Sequence, residues 1–212
     1  MRFVSQWSYG CAKHLAGAMN ENHQKRSVYY YGFFIVIGAL VKGAITLSVA
    51  LLLGVLIPTL LITFAFGSLR MLAGGYHMDT YGKCLFVSLG LFIASAVISQ
   101  YTYLYWSTLS VIAFITVTFI IGLYVLIRYA PKDTPNKRIT EPQVIRKFKR
   151  LSIVYLCAWF FATGVLSFYK LNMFAIALSF GVLLELFAIS PIGHKFFDLL
   201  KDKMDHKKTS SK

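Results

Sequence analysis

The length of the apolar segments constrains this 212-residue chain more than any other feature of its sequence. From Val28 to Arg70 the chain is apolar for about two membrane spans, and the only charge within that stretch is Lys42. A helix that crosses a bilayer needs about 20 apolar residues, more than a water-soluble core requires. Charged residues make up 14% of the chain, against about 25% in soluble domains. These observations predict a polytopic membrane protein.

The spanning segments are expected to be helical, because an α-helix satisfies its own backbone groups in lipid. A transmembrane β-barrel would need runs of alternating apolar and polar residues, which this sequence lacks. The predicted fold class is all-α, with six transmembrane helices and an N-terminal amphipathic interfacial helix in a single membrane domain over residues 1–212. That domain comprises a cytoplasmic amphipathic helix within 1–27, the spans within about 28–190, and a cytoplasmic tail at 191–212. The spans are placed at about 28–53, 55–71, 84–104, 107–127, 151–169 and 172–190.

The two ends of the chain are more polar than the rest. Residues 2–19 place apolar side chains at three- and four-residue steps, which predicts an amphipathic helix too polar to span a membrane. This helix could lie in the cytoplasmic interface or pack on the protein itself, and the sequence favours neither. The tail ends in KDKMDHKKTSSK, which is expected to fray.

The net charge of +14 is distributed as a membrane topology requires. Every basic residue except Lys42 and Lys170 falls in a segment that a six-span topology places on one side. Under the positive-inside rule that side is the cytoplasm, which also receives both termini. This distribution argues against nucleic acid as a partner. It predicts a multi-pass protein of the cell membrane with the lipid bilayer as its surroundings.

A polar interruption, LRMLAGGYHMDTYGKC at residues 69–84, separates the second and third spans. We call residues 72–83 the elbow. Polar groups at a bilayer edge are costly unless they serve a purpose, so this cluster is the candidate functional site. Its distinctive residues are Arg70, Gly74, Gly75, His77, Asp79 and Cys84.

Cys84 and His77 have the residue types of a nucleophile and its base. A thiol attacks as thiolate, and a neighbouring histidine can take its proton. Seven residues of continuous helix would separate the two by about 10 Å, so the elbow must fold back at its glycines. Asp79 or Thr80 could cap the third span and put Cys84 in its first turns. The alternative is a small apolar cysteine and an interfacial histidine with no joint role.

The remaining polar candidates each have two interpretations. Asp79 could orient His77 or serve as the helix cap. Arg70 could bind a substrate carboxylate or snorkel to the interface. Glu185 and Lys42, deep in their spans, could pair with each other or with other polar groups, and Glu185 could instead approach the elbow. Cys11 and Cys157 have no nearby base in sequence and are interpreted as structural, and no ligand spacing indicates a metal.

Three segments together resemble the AgrB family of membrane peptidases, which process quorum-sensing pro-peptides in Gram-positive bacteria. In and just after the elbow, His77 follows Gly75 by two residues, and Cys84 follows His77 by seven. The segments are the elbow region with Arg70, Gly75, His77 and Cys84, the loop YAPKDTPNKRI with Tyr129, Ala130, Pro131, Thr134 and Lys137, and LLELFAISPI with Glu185 and Pro191.

The resemblance implies a cysteine endopeptidase in which Cys84 and His77 form the catalytic dyad. Its substrate would be an AgrD-like pro-peptide with an amphipathic leader, a central signal segment and an acidic tail. Cleavage before the tail would leave an acyl-enzyme thioester, which closes to a thiolactone or lactone ring. Asp79 and Glu185 would be orienting or supporting residues. No cofactor is implied, and substrate binding would fall to Arg70, Gly74, Gly75, Lys132 and Lys137.

Two other functions fit the same sequence. A small transporter or exporter would use Lys42, Arg70 and Glu185 as intramembrane charges. A structural membrane scaffold would tolerate changes throughout the elbow. The oligomeric state stays open, a homodimer included.

Overall fold

The structure, a computed structural model, describes residues 2–76, 78, 80–132 and 141–209 of the chain. These residues contain no β-strand, only an isolated bridge between Gly74 and Lys132. The predicted all-α class is confirmed. The helices are α1 (Arg2–Ala18), α2 (His23–Leu52), α3 (Leu56–Ala73), α4 (Tyr81–Thr102), α5 (Thr108–Tyr129), α6 (Pro142–Phe168), α7 (Asn172–Ile189) and α8 (Pro191–Thr209).

Six of the described helices, α2 to α7, are long and apolar enough to cross a membrane, which confirms the predicted number of spans. Two of them begin at least five residues earlier than expected. Helix α2 starts at His23 rather than 28, because the Asn22 side chain accepts a hydrogen bond from the Lys25 amide and caps it. Helix α6 starts at Pro142 rather than 151, with proline in the first turn, where no backbone N–H is needed. The apolar segments predict only the part of each helix that is suited to lipid. Helices α2 and α6 begin in the polar sequence before those segments.

Helix α7 lies at the centre of the bundle and packs against α3, α4, α5 and α6. Its closest approach is to α3 at Gly181, where an added Cβ would lie 2.6 Å from the Ile62 carbonyl oxygen. Small residues at such crossings let two helix backbones come together. This contact fixes α7 beside α3, and it sets the end of α7 next to the elbow.

Helix α1 packs along α2 through a stripe of buried residues, Val4, Ser8, Ala12 and Ala16. Phe3 and Trp7 point away from α2 and are more than half exposed. The predicted amphipathic helix is therefore present and packs against the protein itself, and its placement in the membrane interface stays a prediction.

The fraying of the chain's end stays a prediction, but the described part of the tail is helical, because helix α8 runs to Thr209. Ser190 begins it: the Ser190 side chain accepts a hydrogen bond from the Gly193 amide at 3.0 Å, and Pro191 is the first helical residue. Phe197 is buried against the rest of the protein. The charge of the segment had suggested a frayed end, although a capping serine followed by proline is a helix-start signal.

Candidate active site

The elbow begins with a backbone contact to the segment that follows α5. The Lys132 amide donates to the Ala73 carbonyl oxygen at 2.8 Å. Gly74 has φ +74°, and an added Cβ would lie 2.2 Å from the Lys132 carbonyl oxygen. Only glycine fits this approach. Lys132, predicted as a substrate-binding residue, is thereby held next to Gly74.

The next residues of the elbow are fixed to α7 through an ion pair. Arg70 Nη1 lies 3.2 Å from Glu185 Oε2, and Nη2 donates to the Tyr76 carbonyl oxygen. The Tyr76 amide donates to the Ala188 carbonyl oxygen at 3.2 Å. Gly75 has φ +150°, and an added Cβ would lie 2.9 Å from both Arg70 Nη1 and Glu185 Oε1. The sequence suggested that Glu185 might approach the elbow, and the structure places it there.

Glu185 is fully buried, and its Oε1 has no hydrogen-bond partner among the described residues. The alternative in which Lys42 pairs with Glu185 is not what the structure shows, because each has a different partner. The contacts of Arg70 give it a structural role, and its binding of a substrate carboxylate stays a prediction.

Cys84 lies in the first turn of α4. The Thr80 side chain accepts a hydrogen bond from the Lys83 amide and caps the helix, one of the two caps that the sequence suggested. The Cys84 side chain is half-buried, and Lys42 Nζ of α2 lies 3.1 Å from its Sγ. Sequence reasoning missed this contact. The available signal was a lysine in an apolar span, which needs a polar partner.

Three predicted site residues, His77, Asp79 and Lys137, lie outside the described residues. The pairing of His77 with Cys84, and the orienting role of Asp79, therefore stay predictions. Within the described part of the chain, no group of three or more His, Cys, Asp and Glu side chains is arranged to hold a metal ion.

Helix α8 covers the elbow at Tyr76. The Tyr76 ring stacks on Phe197 and meets His194 edge to face, while its hydroxyl donates to Asp198 Oδ1 at 2.7 Å. Burial, with a further contribution from the positive charge of Lys132, lowers the pKa of His194, and Asp198 opposes this shift. The elbow is thus held from three sides, by α7, by α8 and by the segment after α5.

The family profile described as accessory gene regulator B matches residues 8–189, from α1 to the last residue of α7. The chain belongs to the AgrB family. An AgrB-like protein of Clostridium perfringens strain SM101 is 22% identical over 161 residues, 74% of this chain and 75% of its own length. An AgrB-like protein of Listeria innocua is 24% identical over 166 residues, 78% of this chain and 76% of its own. No solved structure matches the chain.

Membership of the AgrB family implies involvement in the processing of quorum-sensing pro-peptides, with an AgrD-like pro-peptide as partner and a membrane as setting. The region that matches the AgrB profile contains Arg70, Gly75, Cys84 and Glu185, all of which the structure describes. Helix α8 lies beyond it. The contacts of α8 with Tyr76 are therefore a feature that the family match does not cover.

Proposed function

We propose that this protein is a membrane-embedded cysteine endopeptidase that removes the C-terminal tail of an AgrD-like pro-peptide and prepares the remainder for cyclisation. One observation carries the proposal: the thiol of Cys84 sits in the first turn of α4, directly after the elbow. The N-terminus of a helix favours negative charge, which suits a thiolate. The glycine turn at Gly74 and Gly75, packed against Lys132, Arg70 and Glu185, lies in the same elbow and fixes the chain that leads to Cys84.

The reaction proceeds in two acyl transfers. His77 takes the proton of the Cys84 thiol, and the thiolate attacks the carbonyl carbon of the peptide bond before the tail. The C–N bond breaks, the departing amine takes the proton back from His77, and the signal segment stays on Cys84 as a thioester. A thiol or hydroxyl of the bound peptide then attacks that thioester, and His77 takes the proton of the attacking group. The C–S bond to Cys84 breaks, the sulfur departs as a thiolate with the bonding electron pair, and a thiolactone or lactone ring leaves.

The other parts of the site have supporting roles in this proposal. Lys132, held at the elbow, and Lys137 attract the acidic tail of the substrate. Gly74 and Gly75 shape the backbone turn beside which the peptide lies, and Arg70 and Glu185 hold that turn in place. Asp79 orients His77, since Thr80 caps α4.

The arrangement of charges favours a peptidase over a transporter. A transporter would need Lys42, Arg70 and Glu185 to be available to a passing ion or solute. In the structure Arg70 is paired with Glu185, and Lys42 faces the sulfur of Cys84. We further propose that both termini and the elbow face the cytoplasm, where the basic residues concentrate.

The proposal predicts that Cys84→Ala and His77→Ala each abolish processing of the cognate pro-peptide while membrane insertion is kept. Because the two residues act as a unit, the double variant should be little worse than either single one. The measurement is gel mobility of a tagged pro-peptide in cells that co-express each variant.

The matched controls are Cys11→Ala and Cys157→Ala, which remove the other two thiols and should leave processing intact. Cleavage that persists in Cys84→Ala would remove the peptidase proposal and favour the transporter.

A further inference from the structure

Lys42 is a charged residue within an apolar helix. It lies ten residues before the end of α2 at Leu52, in the apolar stretch VIGALVKGAITL. The ion pairs found among the described residues are Lys25 with Glu21 and Arg70 with Glu185, and neither involves Lys42. Its Nζ donates instead to Cys84 Sγ at 3.1 Å. An ammonium in an apolar span is costly, and here its polar contact is a thiol.

The contact with Cys84 is supported by a second contact one helical turn away. The Tyr81 hydroxyl donates to the Gly38 carbonyl oxygen at 2.6 Å. A Cβ at Gly38 would lie 3.0 Å from the Tyr81 ring, so glycine gives the ring its place on α2. Tyr81 and Cys84 are three residues apart on α4, and Gly38 and Lys42 are four apart on α2. The same side-by-side packing of the two helices therefore brings Lys42 to Cys84, and the contact does not depend on one flexible side chain alone.

We propose that Lys42 is a further catalytic residue, whose ammonium stabilises the Cys84 sulfur as a thiolate. This inference rests on the proposed function, in which Cys84 is the nucleophile. A positive charge in contact with sulfur favours the thiolate over the thiol. In this proposal Lys42 acts through its positive charge, and His77 alone carries the proton from the thiol to the departing amine.

The ammonium acts in both acyl transfers. Before the first, it holds the sulfur anion in the position from which it attacks. While the acyl group occupies the sulfur, Lys42 has no anion to stabilise. When the ring closes, the C–S bond breaks and the electron pair returns to Cys84 as thiolate, which Lys42 again stabilises. A leaving group that is stabilised as an anion departs faster. Lys42 thus favours ring closure in addition to cleavage.

The test measures Cys84 without any substrate. In a full-length protein that carries Cys11→Ser and Cys157→Ser, Cys84 is the only thiol. Its rate of alkylation by iodoacetamide is followed from pH 5 to 10 by intact-protein mass. Lys42→Met should lower the rate at pH 7 by about tenfold or more and move the half-maximal rate to higher pH. Lys42→Arg, which keeps a positive charge, should retain most of the rate.

Lys170→Met is the matched charge control, because it removes one positive charge far from Cys84. Lys170 precedes the start of α7, which lies about 20 Å along the helix from Glu185 at the elbow end. It should leave the profile unchanged. Lys42→Gln repeats the test with a polar side chain, in case the methionine variant folds poorly. In denaturing detergent all variants should react alike, because the effect requires the folded contact.

An unchanged alkylation profile in folded Lys42→Met or Lys42→Gln would overturn the inference, even if Cys84→Ala still abolishes processing. Conversely, processing that continues in Cys84→Ala would remove the proposed function, whatever the alkylation profile shows. The two failures are thereby distinguishable. Loss of processing in Lys42→Met with a normal profile would assign Lys42 a packing role and would also overturn the inference.

Discussion

Arg70 and Glu185 show how a pair of intramembrane charges can fix the shape of a turn. Glu185 is fully buried, and the same guanidinium that pairs with it also binds the Tyr76 carbonyl oxygen of the elbow. Removing one partner of a buried ion pair leaves the other charge without compensation, which costs far more than removing both. The pair is therefore expected to fix the position of the elbow, and loss of one partner alone should destabilise the protein.

Arg70→Met should lower the free energy of unfolding by roughly 3–5 kcal/mol, because it leaves the Glu185 carboxylate buried and unpaired. Adding Glu185→Met should restore part of that loss, so the double variant should be less destabilised than the sum of the singles. Thermal unfolding in detergent checks this. If Arg70 served only to bind substrate, Arg70→Met would leave the unfolding temperature unchanged and would raise KM alone.

At the scale of single residues, the sequence showed which charged side chains are unusual, but it did not show which residues they contact. Arg70, Glu185 and Lys42 stand out because charges are rare in apolar segments. Which of these side chains meet depends on how each helix is rotated about its axis and on which helices are neighbours. Neither can be deduced from a single sequence. The contact of Lys42 with Cys84 was missed for this reason.

At the scale of helices, the apolar runs predicted six spans because bilayer thickness sets their minimum length. The same signal could not give the true ends of α2 and α6, because these helices continue into polar sequence through their own backbone hydrogen bonds. Helix α8 was missed because its high charge hid the pattern that buries Phe197. Its contacts with Tyr76 decide what covers the elbow, so this omission affected the site as well as the fold.

At the scale of the whole molecule, the distribution of charge gives the bundle an orientation. In the order of the helices, the described basic residues other than Lys42 and Lys170 fall on the side of the elbow and α8, and Lys170 falls on the other side. The positive-inside rule predicts that the elbow end faces the cytoplasm. A pro-peptide made in the cytoplasm would then reach Cys84 without crossing the membrane.

The orientation predicts which positions react on intact cells. In a cysteine-free background, cysteines are placed one at a time at the exposed positions Lys147, Lys170 and Lys203. An impermeant maleimide should label only position 170. Lysed cells provide the control, since all three positions should then react. Labelling of position 147 on intact cells would reverse the orientation and put Cys84 on the outer side.

The central claim for the molecule is that Cys84 holds the signal segment as a thioester between cleavage and ring closure. A thioester keeps the acyl group activated, so closure needs no further energy source provided that water does not reach it first. If the ring-closing cysteine or serine of the pro-peptide is replaced by alanine, cleavage can occur but closure cannot. The intermediate should then accumulate on the protein.

The thioester is sought by intact-protein mass spectrometry of the protein incubated with this altered pro-peptide. We expect a mass increase equal to the peptide without its tail, lost on treatment with hydroxylamine and never seen in Cys84→Ala. Free linear peptide that forms without any adduct, at every time point from the start of cleavage, would contradict the central claim and indicate a hydrolase open to water.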